Sequence, residues 1–309
     1  MDVKSELHKA QLFQNLELLA RQVVEGFVSG IHKSPFHGFS AEFAEHKIYN
    51  TGESTKHIDW KLFARTDKLY TKHYEEETNL RCHMVLDNSA SMHYPEVGKL
   101  HLENLNKIGF GVLAIAALMH ILKKQRDAVG LSVYSDDYEF FVKEKSSERH
   151  FQLLLSTLNS IPESKNTGKA TRTYHYLHQI AEKIHRRSLI FLFSDMLQTE
   201  VEETKLFEAL RHLKYNKHEV VLFHLLDYEH ELKFDFDNAP KRFVDIETGQ
   251  HIDLYAENIK KAYEKKVGEY IRALKLKCMQ YQIKYVETDV RSDFSRVLNT
   301  FMVERQKFV

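Results

Sequence analysis

The run Val85-Leu86-Asp87-Asn88-Ser89-Ala90-Ser91-Met92 puts one carboxylate and two hydroxyls at alternate positions directly after an apolar stretch. Alternate residues of an extended segment project the same way, so Asp87, Ser89 and Ser91 converge on one point. Such a hard oxygen set suits Mg2+ or Mn2+, ions that favour octahedral oxygen coordination and keep several waters. The plainer alternative is that Asp87 and the serines cap a following helix, a role both residue types favour. A second run tips the balance. Arg187-Ser188-Leu189-Ile190-Phe191-Leu192-Phe193-Ser194-Asp195 is another apolar strand ending in an acid, placed to bring Asp195 to the same edge of a sheet. Between the two runs lies a threonine-bearing loop, 166–173, just ahead of a helix.

These residues need strands to deliver them. From Arg81 onward apolar strands alternate with helical stretches, the pattern of an α/β domain with a mostly parallel sheet covered by helices on both faces. The strands are read at 82–86, 128–134, 188–193, 219–226 and 283–287. The helices are read at 99–124, 149–158, 174–186, 202–215, 254–281 and 292–304. In open sheets of this kind, ligands gather beyond the carboxyl ends of the strands, where both acidic runs finish. Leu12, Leu16, Leu19, Val23 and Phe27 recur at helical spacing and predict an N-terminal helix within 1–34. Residues 35–80 turn to aromatics, glycines and threonines and read as a small β-rich module, which the sequence reading pairs with 232–254. The α/β domain then covers 81–309.

Composition narrows the function classes. Lys plus Arg and Asp plus Glu both number 44, so the broad positive field that nucleic acid or an anionic membrane would require is missing. The two cysteines, Cys82 and Cys278, have no metal-ligand spacing and no partner framework, which suits a reduced cytoplasmic setting. The first residues lack the apolar block of a signal peptide. Ile108 to Leu122, the most apolar stretch, falls short of the roughly 20 residues a membrane span needs and reads as a buried helix.

Other motifs carry less. Asp59-Trp60-Lys61, with Glu42 and Glu45 upstream, has the acidic-x-lysine form of Mg2+-dependent nucleases or hydrolases. The structural alternative makes Trp60 a core anchor and Asp59 a partner of Arg65. His175 and His178 are helix neighbours, read as exposed histidines on an amphipathic face. Glu75-Glu76-Glu77 is a solvated acidic face or a dock for a basic partner. Ser89 and Ser91 lack the Gly-x-Ser-x-Gly turn of hydrolases, and no phosphate-binding glycine loop occurs.

The order Gly38, Glu42-Phe43, Lys47-x-Tyr49, Gly52-Glu53, Ile58-Asp59-Trp60 and Ala64-Arg65-Thr66 leads into the Asp87 loop. It is followed by Arg187-Ser188-Leu189, Ser194-Asp195 and Asp245-x-Glu247-Thr248-Gly249. As a set these segments resemble domain of unknown function family 58, and the acidic loops resemble the metal-ion-dependent adhesion site of von Willebrand factor A domains. The chain departs from the family at Lys47, where arginine is usual, and at Glu53-Ser54, where an acidic pair is usual. The family's Thr-Asp pair becomes Thr171-Arg172. The resemblance implies a von Willebrand factor A-like fold and a metal held by Asp87, Ser89, Ser91, Thr171 and Asp195, with Thr167 and Thr173 as alternatives to Thr171. It also implies a non-enzymatic adaptor that binds a protein partner through an acidic side chain at the metal and works with a MoxR-type AAA+ ATPase. The competing class is a Mg2+-dependent hydrolase or nuclease.

Overall fold

A computed structural model describes residues 16–30, 46–48, 60–72, 80–97, 104–135, 138–163, 173–197, 200–237, 239–245 and 249–305. The chain divides into two compact units, one formed by 1–31 with 80–308 and the other by 32–79.

In the larger unit, helix α1 (Leu16–Gly30) opens the chain, and in the smaller unit strand β1 (His46–Ile48) pairs antiparallel with β2 (Tyr70–Lys72) around helix α2 (Trp60–Thr66) in sequence. Trp60 is not the core anchor the sequence suggested. Its ring is 61% exposed and meets Phe63 edge-on. Glu42, Glu45, Asp59 and Glu75 to Glu77 lie outside the described residues.

The larger unit continues through β3 (Arg81–Asp87), a 3-10 turn (Ala90–His93), α3 (Lys107–Lys124), β4 (Ala128–Tyr134), β5 (Tyr138–Lys145), α4 (Glu148–Ser160) and α5 (Thr173–Lys183). It then runs through β6 (Leu189–Ser194), α6 (Glu200–Tyr215), β7 (Glu219–Leu226) and a π-helical turn (Tyr228–Leu232). The hairpin β8 (Pro240–Val244) and β9 (His251–Tyr255), α7 (Ala256–Gln280), β10 (Lys284–Asp289) and α8 (Ser295–Arg305) complete it. Among the described residues the hairpin's strands pair with each other, and the hairpin groups with this unit, whereas the sequence pairs it with residues 35–80.

Six strands form one sheet in the order β10-β7-β6-β3-β4-β5, parallel throughout except for β5 at the edge. Its inner strands are predominantly apolar because helices cover both faces, with His83, Ser132 and His224 as buried polar exceptions. Alternation assigns the faces. Met84, Leu86, Phe191, Phe193 and Phe223 pack under α3 and α8, while Val85, Ile190, Leu192 and Leu222 pack against α5, α6 and α7. Helix α3 begins at Lys107, later than the expected residue 99, because Asn106 caps it by accepting a hydrogen bond from Gly109 N–H at 2.9 Å. Gly111 lets α3 sit directly on the sheet, since a Cβ there would lie 2.9 Å from Leu86 Cδ1. No helix among the described residues is long and apolar enough to cross a membrane.

Strand β5 was not expected from the sequence. Its Glu139, Lys143, Glu144 and Lys145 dilute the apolar signal, which an edge strand tolerates because one side faces no neighbour.

Candidate functional site

Strand order reverses at β3: the chain steps from β3 outward to β4, then returns to place β6 on the other side of β3. The crevice beyond the carboxyl ends of strands at such a switch point is where open sheets bind ligands. Register then fixes a transverse row. Asp87 pairs with Tyr134 of β4, Leu86 with Phe193 of β6, and Ser194 with His224 of β7, so Tyr134, Asp87, Ser194 and His224 stand in line across the sheet end.

The Asp87 loop closes on itself. Asp87 Oδ1 accepts from Ser89 N–H at 2.9 Å and Oδ2 from the Ser194 hydroxyl at 2.7 Å. The Ser89 and Ser91 hydroxyl oxygens stand 3.1 Å apart. Asn88 points away, its Nδ2 donating to Glu139 at 2.8 Å. Asp87, Ser89, Ser91 and Asp195 are all buried, and Asp195 repels the Asp87 carboxylate and accepts from the Ser91 hydroxyl, so the structure brings four of the five expected residues together. Thr171 and Thr167 lie outside the described residues. Thr173, the first residue of α5, is buried beside the Tyr134 hydroxyl.

The chain leaves β6 through Met196 in the left-handed region at φ 51°, with Met196 N–H bonded to the Ser194 hydroxyl at 2.9 Å. That turn aims the Asp195 carbonyl at His224 Nε2, 2.7 Å away, while Asp195 Oδ1 accepts from Leu197 N–H at 3.3 Å. His224 Nδ1 completes its bonding with the Tyr285 hydroxyl at 2.6 Å. Burial holds the His224 imidazole neutral, down to about 4, which makes it a fixed strut.

The residue that sequence reasoning missed is Lys107. At the first position of α3 its side chain is fully buried, and its ammonium donates to Asp195 Oδ2 at 2.7 Å and to Glu231 Oε1 at 2.5 Å. Glu231 comes from the π-helical turn after β7 and also accepts from Asp227 N–H at 2.8 Å. A signal existed: a lone lysine heads an otherwise apolar helix, and a lysine is almost never fully buried unless paired.

The site's electrostatics follow. Burial, then repulsion from Asp195, pushes Asp87 up to about 6 against the hydrogen bonds from Ser194 and Ser89. Burial also acts to raise Asp195, but the Lys107 charge and hydrogen bonds from Lys107, Ser91 and Leu197 outweigh it and hold Asp195 low. Burial lowers Lys107 and is likewise outweighed by Asp195 and Glu231, so the ammonium is held charged. Burial leaves Glu231 above its ordinary value despite Lys107. The fully buried Tyr134 hydroxyl, flanked by Ser194 and Thr173, makes no hydrogen bond among the described residues and is pushed well up by burial and by Asp87.

A second polar cluster is structural. His83 joins Ser132 through Nε2 and Glu144 through Nδ1, both at 2.6 Å, spanning β3, β4 and β5. The contacts have the order of a serine–histidine–acid triad, yet His83 and Ser132 are fully buried, so Ser132 offers no exposed nucleophile. His178 is half-buried and shares its Nδ1 with His212 at 2.8 Å, whereas His175 is exposed as expected.

The donor set can be tested against a divalent ion. At the 2.0–2.1 Å typical of Mg2+–oxygen bonds, adjacent octahedral ligands are about 3.0 Å apart. The 3.1 Å between the serine hydroxyls matches that edge. Asp87 has no cationic partner among the described residues, although it lies buried beside a second carboxylate. Both observations fit the ion. The described residues hold no group of three or more His, Cys, Asp or Glu side chains able to bind a metal, so any ion here depends on hydroxyls.

The parallel sheet with one antiparallel edge strand, helices on both faces and acidic loops at its switch point is an open, doubly wound α/β fold. Residues 45–270 match the family described as "Protein of unknown function DUF58", and the chain belongs to that family. It is 23% identical over 188 residues to the uncharacterized protein Rv1480 of Mycobacterium tuberculosis, which covers 61% of this chain and 57% of that relative. Among solved structures it is similar to the conserved hypothetical protein BatB of Bacteroides thetaiotaomicron, at 16% identity and a TM-score of 0.45, over 74% of this chain and 100% of that one. An aerotolerance-related membrane protein of Bacteroides fragilis is similar at 16% identity and a TM-score of 0.41, over 73% of this chain and 99% of that one.

Proposed function

We propose that this chain is a non-enzymatic binding protein in which Asp87, Ser89 and Ser91 hold Mg2+ or Mn2+, and the ion accepts an acidic side chain from a protein partner. The observation that carries this reading is the pair of serine hydroxyls 3.1 Å apart beside the buried Asp87 carboxylate at the sheet's switch point. Thr173, or Thr171 or Thr167 from the loop before it, completes the oxygen set. Asp195 already shares Oδ2 with Lys107 and Oδ1 with Leu197 N–H, so it contributes charge before it contributes a ligand position. The bound ion supplies an electrostatic anchor for a carboxylate. The protein's own task is to keep the hydroxyls converged through the Ser89 N–H to Asp87 bond and the Ser194 to Asp87 bond. His224, bonded through both ring nitrogens and held neutral, is not available to take a proton from water, which favours binding over hydrolysis.

Family resemblance implies the partner, a MoxR-type AAA+ ATPase that the chain links to a client, and the two cysteines, buried as thiols, suit a reduced cytoplasmic setting. The test is calorimetric titration of Mn2+ into wild type and Asp87→Ala, joined to recovery of the ATPase on immobilised protein in Mg2+ and in EDTA. Mn2+ binding and ATPase recovery both fall at least tenfold in Asp87→Ala, with circular dichroism unchanged. Equal recovery under all conditions sinks the proposal.

A further inference from the structure

A cleft of about 800 Å3 opens between α7 and the carboxyl ends of β6 and β7. That volume lies within the range of roughly 300–1,000 Å3 typical of ligand sites. None of Asp87, Ser89 or Ser91 lines it.

The walls and floor differ in character. One wall is the face of α7 that presents Ile259, Tyr263, Val267 and Tyr270 at helical spacing, each half-buried. Leu197 and Leu226 supply apolar surface opposite. Carboxylates enter from three elements: Glu203 of α6, Glu231 of the π-helical turn and Glu269 of α7, against the single lining lysine, Lys266. His224 in the floor adds no positive charge near neutral pH, because burial lowers it to about 4. Glu231 Oε1 accepts from Lys107 at 2.5 Å and Oε2 from Asp227 N–H at 2.8 Å. A carboxylate offers about four acceptor positions, so capacity remains. At Glu231 the Lys107 charge outweighs that of Asp195 behind it, so Glu203 and Glu269 supply the cleft's remaining negative charge.

We propose that this cleft is a binding site for an arginine side chain carried on an apolar segment of a partner protein. The aliphatic stem packs on Ile259, Val267 and Leu197, as long cationic side chains do along apolar surfaces. The guanidinium lies against the faces of Tyr263 and Tyr270. Its donors serve carboxylates that approach from different walls, a task that a planar fork performs and a lysine ammonium performs poorly. The site requires no metal, so it stands or falls separately from the ion-dependent reading above.

The test uses the full chain and three probes: acetyl-Leu-Arg-Leu-amide, the same peptide with citrulline, and the same peptide with lysine. Citrulline keeps the shape and removes the charge. Calorimetry is paired with NMR observation of the Tyr263 and Tyr270 rings. The arginine peptide binds in EDTA as in Mg2+, the citrulline peptide binds at least tenfold more weakly and the lysine peptide several-fold more weakly. Arginine-peptide affinity falls several-fold between 50 and 300 mM salt, about as expected for partly screened charges. Ala262→Arg, at an exposed helical position on the cleft wall, fills the cleft with the chain's own guanidinium and abolishes binding, with circular dichroism unchanged. Glu269→Gln weakens it several-fold. Equal binding of the arginine and citrulline peptides, unchanged binding in Ala262→Arg, or no binding of the arginine peptide to folded wild type at millimolar concentration overturns the proposal.

Discussion

Replacing Lys107 with methionine isolates the charge at the centre of the site. Methionine keeps most of the buried stem, and volume-conserving swaps in a core cost less than about 1.5 kcal/mol. What disappears is an ammonium that is fully buried and bonded to Asp195 at 2.7 Å and to Glu231 at 2.5 Å. Removing one partner of a buried ion pair costs about 3–5 kcal/mol, because the other charge is stranded. For a unit of this size each kcal/mol lowers the melting temperature by roughly 2–4 °C, so the variant melts on the order of 10 °C lower. The pH dependence has a definite sign. Asp195 is held low in the fold, so its contribution is present above the ordinary carboxylate value of 3.8 and is lost as pH falls through its lower folded value. Lys107 is held high, so its contribution is present below 10.5 and is lost only as pH rises through its higher folded value. Wild type therefore keeps the pair's stabilisation across neutral pH. In Lys107→Met the Asp195 carboxyl loses its cation and titrates higher, so the deficit is largest near pH 7.5 and narrows toward pH 4. Urea denaturation followed by far-ultraviolet circular dichroism at both pH values measures it. A loss under 1 kcal/mol at pH 7.5, or one that does not change with pH, would refute the buried pair.

Asp87→Asn acts in the opposite direction. With Asp87 pushed up to about 6 from 3.8, its ionisation disfavours the fold at neutral pH by roughly 3 kcal/mol at most, a penalty absent below about pH 4 and complete above about pH 6. In EDTA the variant is thus more stable than wild type at pH 7.5, and the two converge at pH 4; thermal melts at both pH values decide it. Gly130→Ala puts a Cβ 2.5 Å from His83 Nδ1 and 2.9 Å from the Val142 carbonyl, so it breaks the His83–Glu144 contact and destabilises by about 2 kcal/mol or more in urea titrations. Gly268→Ala, with nothing within 4 Å of its added Cβ in exposed α7, stabilises by about 0.5–1 kcal/mol in the same assay.

The central strands were legible because burial on both faces leaves each a predominantly apolar run, and the acids ending β3 and following β6 stood out against it. Asp87 and Asp195 could therefore be assigned to one sheet edge before any register was known. Lys107 could not be assigned there. It lies 88 positions from Asp195 and 124 from Glu231, and with the helix read from residue 99 it falls inside a helical run as one more charged position. Glu231 was hidden in a five-residue π-helical turn, too short to carry a period of its own. Strand β5 escaped for the opposite reason: its charged residues belong to a strand only once β4 is beside it. Trp60 misled because a lone tryptophan suggests a core, and here the ring is exposed.

The glycine at position 111 limits how news of a bound ligand can travel. With Leu86 pressed into the space where its side chain would be, α3 is keyed to the central strand like a tooth in a notch. A one-turn slide of about 5.4 Å would bring Ile108 or Ile115 to the place of Gly111 against Leu86 and pull Phe110 off its stacked partner Phe294, 4.5 Å away. Piston motion of this helix is therefore barred. Lys107, at the head of that keyed helix, is the side chain that ties Asp195 to Glu231.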